Sequence, residues 1–531
     1  MFTVILGMLL AGGGNNAAFA LTVTGASCSQ QTNNSLRYDC TVTTDAASNA
    51  WINFAPDTTG GCDLLRTTSV SENSTTHSFT MFGMKPSEPY NWRAFAVPAG
   101  GGAQVQSTCR LDTPGALPAD GPRFDQIVVT KTGTAQQIKA VATHYGCYES
   151  GVDDPHDGLV VFDADGEIVW FQNVADDLGF TGTTFQLEAV SHSKPEKTFL
   201  AVANHEIIVE YDMAGNLLTV LCRDDGTASG HCHETGYTPD GFFDEEVFVH
   251  HDVQRLGDEI VVLTARDVAV TDTDDCDADA NTTETFPIIV DGLAAFDTSG
   301  TFPVQTVDYL LTDINGMVVD YSTYNCKPPV YWNGQLAGSD VLHTNAFWID
   351  VADQWMFSLK VPSTVMSVDR ELGSGTTNDI MWEAVGSLTT GDFSATAGGY
   401  DETFSDQHAV SWGPTGEFLI FDNGPGGGAS TRGVAYDMDV GAMTLDVTGE
   451  YEMENAAGNP IMCPAGGSLF HTLGGHALAT CPETNPAAPY AVINEFNGSN
   501  NVVWSLELEC DSAPTNYDPA GIAFRGYANP W

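Results

Sequence analysis

One turn recurs along this chain and limits what the chain can fold into. A short apolar strand ends on aspartate, a glycine follows three positions later, and a second strand begins. Asp163-Ala164-Asp165-Gly166, Asp212-Met213-Ala214-Gly215 and Asp297-Thr298-Ser299-Gly300 are its copies. Aspartate closes such a turn through its own side chain, and glycine supplies the left-handed backbone that other residues resist. No convincing amphipathic helix separates the copies. Repeated hairpins without intervening helices predict a β-propeller with insertions across residues 123–531.

A second recurrence lies one step away. A polar residue opens a strand, a turn follows, and an apolar strand resumes. The copies begin at Glu188, His251, His343 and His408, ahead of Thr198–Val202, Ile260–Leu263, Trp355–Leu359 and Phe418–Phe421. A fifth begins near Ser468, ahead of Ala477–Ala479. Equivalent positions of successive blades are related by rotation about the propeller axis. If the polar residue opens the innermost strand, every copy faces the central funnel. His251, His343 and His408, 92 and 65 residues apart in sequence, are then expected to converge. His250 is expected on the other face of its strand, because strand side chains alternate.

The rest of the chain divides readily. Residues 1–20 read as an export signal, apolar from Phe2 to Leu10 and closing on the small-x-small run Ala18-Phe19-Ala20, although no basic residue precedes the apolar stretch. Residues 21–112 carry short alternating strands such as Leu36–Thr44 and Tyr90–Val97, which fit a fibronectin III-like β-sandwich. The Pro/Gly-rich segment 113–122 is a linker. The fold class expected is therefore all-β, a small sandwich followed by a propeller. No segment is a long apolar run, so no membrane span is expected.

The histidine segments resemble those of the bacterial aryl sulfotransferase family. The resemblance is carried by Phe248-Val249-His250-His251-Asp252-Val253, by Asp340-Val341-Leu342-His343-Thr344-Asn345-Ala346, and above all by Phe404-Ser405-Asp406-Gln407-His408-Ala409-Val410. Phe421-Asp422-Asn423-Gly424 and the closing Phe524-Arg525-Gly526-Tyr527 follow in order. The resemblance implies a six-bladed propeller behind an N-terminal β-domain. It implies sulfuryl transfer from a phenolic sulfate ester to a phenolic acceptor, with no nucleotide sulfate donor and no cofactor or metal. His408 aligns with the family's sulfurylated histidine, and His251 and His343 with its two supporting histidines. The place of the family's arginine falls on Lys360. Arginine grips two oxygens through a planar fork, whereas lysine offers a point charge, so the departure bears on how a sulfate would be held.

These residue types suit the chemistry. A nucleophile approaching a sulfate ester meets anionic oxygens, so the site must supply a neutral nucleophile, positive charge and a proton for the leaving group. His408 is expected to attack sulfur, His343 and Lys360 to hold the oxygens, and His251 to move the proton. Asn345 and Asn423 are expected to orient ligands or imidazoles. Two other readings stay open on the sequence: a metal-dependent lyase or hydrolase built on the three histidines, and a non-catalytic propeller that binds or scaffolds.

Charge and cysteines narrow the partners. Lys and Arg total 18 against 70 Asp and Glu, a formal net charge of −52. Such a surface repels nucleic acid and anionic membranes, and it also opposes an anionic aryl sulfate unless salt screens it. The basic residues near the motifs are Arg255, Arg266 and Lys360. The acidic run Asp272–Asp279 is a candidate calcium loop, although it lacks the glycine and closing glutamate of one. Twelve cysteines without a CxxC pair point to disulfides in an oxidising compartment. Cys222–Cys232 and Cys463–Cys481 are the local pairs suggested by spacing, with Cys147–Cys510 as a ring closure.

Overall fold

The computed structural model describes residues 20–528, apart from 58–61, 63–65, 119–120, 123, 125, 135–139, 146–157, 181–184, 186, 194, 225, 227–231, 233–237, 273–283, 315–316, 318–329, 333–335, 350–353, 371–379, 389, 396–402, 425–430, 465, 473, 483–489 and 510–526. The chain divides into two compact units, residues 1–116 and 117–531. The export segment falls almost wholly outside the described residues, as do Cys147, Cys510, Phe524–Gly526 and the acidic run beyond Asp272.

The first unit is built around one long strand, Tyr38–Pro56. Its first half pairs with Val23–Gln30 and Ser71–Met81, and its second half with Tyr90–Pro98 and Arg66–Thr67. The register against Ser71–Met81 breaks between Thr43 and Ser48. Trp92, Tyr90, Phe54 and Val42 share the enclosed core. Cys28 and Cys40 stand opposite each other in the ladder and are bridged.

The second unit contains six sheets among its described residues, and five blades of a propeller-like ring are recognisable. Four sheets begin on the strands Leu187–Ser193, Phe248–Leu256, Thr344–Ile349 and His408–Trp412, and a fifth begins on Ser468–His471. These opening strands pack one against the next around the ring. The second strands, Thr198–Ala203, Trp355–Leu359, Phe418–Asp422 and Ala477–Cys481, are buried along their whole length. Sheets packed on both faces impose that pattern. Outer strands such as Val304–Leu310 alternate instead.

The recurrent Asp-x-x-Gly turn joins the third strand of a sheet to the fourth. Asp163 Oδ1 accepts from the backbone N–H of Asp165 and of Glu167, and Gly166 takes φ 81°. Asp212 and Gly215 repeat the arrangement, the latter with φ 84°. The ring is closed from both ends of the unit. Gln126–Lys131 adds to the edge strand Val502–Glu509, and Tyr527–Ala528 pairs with Ala140–Tyr145.

Four disulfides lie among the described residues: Cys28–Cys40, Cys62–Cys109, Cys222–Cys232 and Cys463–Cys481. The last two are the pairs suggested by spacing. No helix among the described residues is long and apolar enough to cross a membrane.

Candidate active site

The opening strands of four blades share a defect near their start. The ladder shifts between Leu187 and Ala189, between His250 and Val253, between Thr344 and Ala346, and between His408 and Ser411. A bulge leaves a residue outside the pairing and re-aims side chains. His251 sits in one bulge with φ 51°, His343 just before another with φ 50°, and Ala409 in a third with φ 48°. Left-handed backbone at non-glycine residues is uncommon and costs energy, so the surroundings must hold it.

They hold it with buried side chains from neighbouring elements. Asp291 Oδ2 accepts from the N–H of Thr344 at 2.6 Å, and Asp252 Oδ2 from that of Phe347 at 3.0 Å. Asn345 Nδ2 donates to the carbonyl of Gln407 at 2.7 Å. Gln407 in turn donates to Leu359 O and Thr364 O in the preceding blade. The backbone carrying His408 is thus fastened to the blade carrying His343. Asn345 is fully buried and serves that fastening.

The three histidines come together at these bulges. The His251 and His343 rings lie edge to face with centroids 5.1 Å apart. His408 feels the charge of Lys360 and of His343, and His251 that of His343 and His408. Lys360 follows the second strand of its blade, and its backbone N–H donates to the His343 carbonyl at 3.2 Å. The two other basic residues near the motifs are engaged elsewhere, Arg255 with Glu210 and Arg266 with Asp308.

His408, 2% exposed, has a defined tautomer. Its Nδ1 lies 2.7 Å from Asn423 Oδ1 and 3.1 Å from the Asp406 carbonyl. Asn423 Nδ2 donates to the carbonyls of Cys463 and Gly466, each at 2.9 Å. Those two acceptors fix the amide orientation, so Oδ1 faces the imidazole as an acceptor. Nδ1 therefore carries the proton, and Nε2 keeps its lone pair. Burial, with Lys360 beside it, pushes the His408 pKa well below the ordinary value, so the ring is neutral. Cys463, whose carbonyl helps orient Asn423, is bridged to Cys481.

His343 donates its backbone N–H to Asp340 Oδ1 at 3.0 Å, and its Nδ1 lies 2.5 Å from Asp340 Oδ2. Burial alone raises the Asp340 pKa, but the His343 charge and hydrogen bonds outweigh it and hold the carboxyl below its usual range. His251 is partly open to solvent, whereas His250 behind it is wholly enclosed. Burial, reinforced by neighbouring imidazoles, keeps His251 well below the ordinary histidine value and drops His250 to about 3.

One sequence expectation is corrected here. His250 does not point away from His251; their Nδ1 atoms are 2.6 Å apart. Alternation holds along a regular strand, and the bulge beginning at His250 breaks it. Two further residues escaped the sequence reading. Asp291 lies within a long apolar strand without a motif, and His205 sits in a turn and pairs with Glu188, the acid in the equivalent histidine place. Among the described residues, no group of three or more His, Cys, Asp or Glu is arranged to hold a metal ion.

Comparison with known proteins places these features. The family model described as Arylsulfotransferase (ASST) matches residues 131–517. No curated protein matches the chain. Some solved structures are similar to parts of the chain at low identity. A protein of unknown function from Bacteroides caccae is 9% identical, covering 70% of this chain and 94% of its own, with TM-score 0.36. A streptogramin B lyase is 7% identical, covering 73% and 88%, with TM-score 0.30. A catalytically inactive virginiamycin B lyase from Staphylococcus aureus is 8% identical, covering 73% and 89%, with TM-score 0.28.

Proposed function

This chain belongs to the arylsulfotransferase family, and from that premise we propose that it transfers a sulfuryl group from a phenolic sulfate ester to a phenolic acceptor through a sulfo-histidine at His408. The observation that carries the reading is the pair of carbonyls holding Asn423, because they leave His408 neutral at Nε2 with its proton parked on Nδ1. A neutral imidazole approaches an anionic ester without charge repulsion. Nε2 forms the N–S bond while the S–O bond to the donor phenol breaks, its electron pair leaving on oxygen. The acceptor oxygen then attacks sulfur, the N–S bond breaks, and the imidazole is restored.

Lys360 and His343 supply charge and hydrogen bonds to the sulfuryl oxygens in both steps. His251, partly open to solvent, gives a proton to the leaving oxygen and takes one from the acceptor. The four disulfides among the described residues support an oxidising compartment for the working protein, in keeping with export.

The direct test is a chromogenic aryl sulfate incubated with and without an added phenol. Acceptor-dependent release, with sulfation of the phenol, is expected. Acceptor-independent release would mean a sulfatase, and no release would end the reading.

Lys360 gives a second test. Lys360→Arg is expected to preserve or raise kcat/KM for the donor, since a fork can hold two oxygens where an ammonium holds them as a point charge. Lys360→Met should lower it on the order of 10²–10³-fold, the scale of losing one charge-stabilising donor. A Met variant as active as the original would remove Lys360 from the oxygen-binding set.

A further inference from the structure

Proton transfer by His251 raises a difficulty that the residues behind it resolve. A neutral imidazole is a poor acid unless its other nitrogen is resupplied as it gives up a proton. His251 Nδ1 faces not water but His250 Nδ1, at 2.6 Å. Behind that, His250 Nε2 lies 3.4 Å from Asp291 Oδ1, an ion-pair distance that is not yet a formed hydrogen bond. His250 and Asp291 are both fully buried. Asp291 is held in place from its other oxygen, which accepts from the Thr344 N–H at 2.6 Å.

Resting on the sulfuryl-transfer reading above, we infer that Asp291 and His250 form a buried proton relay behind His251, so that the proton for the leaving phenolate comes from Asp291 rather than from solvent. Two neutral rings whose Nδ1 atoms are this close must share one proton, because two lone pairs repel and two N–H groups clash. Either direction of that bond is one state of the relay.

In the loaded state, with all three groups neutral, the Asp291 carboxyl closes on His250 Nε2 and donates to it, His250 Nδ1–H donates to His251 Nδ1, and His251 Nε2–H faces the substrate. When the S–O bond breaks, His251 Nε2 gives its proton to the phenolate oxygen. His250 passes its Nδ1 proton to His251 Nδ1, and Asp291 passes its own to His250 Nε2. The negative charge of the leaving oxygen thereby ends on Asp291. In the second half-reaction the acceptor phenol loses its proton to His251 Nε2, and each hop reverses. One proton moves out and one returns, so the cycle closes without exchange with solvent.

The surroundings favour this assignment. Burial, and then the charge of Asp340, push the Asp291 carboxyl well above its usual range, so it starts protonated. Burial, joined by His205 and His343, disfavours a His250 cation despite the Thr264 carbonyl and Asp340, so the ring passes its proton while staying neutral. His250 and Asp291 touch no reacting atom in this scheme; they are positioning and relay residues.

The test compares two donors in the acceptor-dependent assay. 4-Nitrophenolate leaves without help, whereas 4-methylphenolate needs a proton. In His250→Gln and in Asp291→Asn, kcat/KM for 4-methylphenyl sulfate is expected to fall roughly 10²–10⁴-fold, the range for lost general acid catalysis. The loss with 4-nitrophenyl sulfate should be smaller by about tenfold or more. Equal losses on both donors would mark a merely structural role and overturn the relay, as would no loss at all. Should His250→Gln fail to fold, the isosteric Asp291→Asn carries the same comparison. The unsubstituted protein adds an independent reading: its rate on 4-methylphenyl sulfate should fall along a curved line with deuterium content, because several protons move together. A straight line, one proton in flight, would overturn the relay while leaving sulfuryl transfer intact. Absence of transfer by the unsubstituted protein from either donor would instead overturn the parent reading, and the relay with it.

Discussion

His408→Ala, mixed with an aryl sulfate and a phenol, is expected to give no sulfated phenol above background and no mass increment on the protein. The unsubstituted protein, given donor alone and quenched, should carry one sulfuryl group on the peptide containing His408. The loss expected is on the order of 10⁶-fold, the scale observed when the nucleophile of a covalent mechanism is removed. The rest of the site would survive the substitution, since Asn423 is held by Cys463 and Gly466 and Asn345 holds the Gln407 backbone rather than the imidazole. Loss of the adduct with intact folding would therefore isolate the nucleophile. The pH profile adds a signature. Because burial and Lys360 depress the His408 pKa, the ring stays neutral below the pH at which a free imidazole, near 6.5, takes up its proton. Donor kcat/KM should then remain flat as pH falls through that value and decline only at lower pH. A sulfuryl adduct on another histidine, or turnover surviving in His408→Ala, would refute the assignment.

Part of this site could be read in the residues themselves. The turn Asp163-x-x-Gly166 announces its own geometry, because the aspartate bonds backbone within the same few residues. Turns are local, and local chemistry is legible. The polar residue that opens an inner strand was legible for a different reason: rotation makes copies equivalent, so a repeat seen in sequence becomes proximity in space. His251 and His343, with ring centroids 5.1 Å apart, are 92 positions apart in the chain.

What escaped depends on interactions that leave no local pattern. Alternation put His250 on the wrong side because a bulge adds a residue without a marker; neither His251 nor Asp252 is a glycine or proline. For Asn423 the sequence leaves two orienting roles open, toward a ligand or toward an imidazole. Its role becomes definite only when Cys463 and Gly466 bring two carbonyls to its amide nitrogen. Asp291 was hidden within Glu284–Asp297, where periodicity predicts only a strand. A buried carboxyl there is explicable once the Thr344 N–H, 53 positions away, needs an acceptor. Sequence separation, rather than weak chemistry, made these residues hard to find.

His251→Ala should slow both half-reactions, and it separates proton transfer from attack at sulfur. The expected loss in kcat is roughly 10²–10⁴-fold with a donor whose phenolate leaves poorly. The sulfo-histidine at His408 should still form from a donor with a good leaving group, because the lone pair of His408 Nε2 depends on Asn423 and not on His251. It should then persist, since an acceptor phenol loses the base that would take its proton. Accumulation of the adduct is thus the distinguishing observation: His408→Ala has none, and His251→Ala has more than the unsubstituted protein at steady state. A nucleophile that attacks as an anion should bypass the missing base, so acceptors that ionise readily, or higher pH, should restore part of the second half-reaction. If His251 only shaped the pocket, acceptor acidity would leave the loss unchanged, and the adduct would form and decay with rates reduced in common. Rapid-quench measurement of adduct formation and decay in this variant, across acceptors of graded acidity, decides between the two.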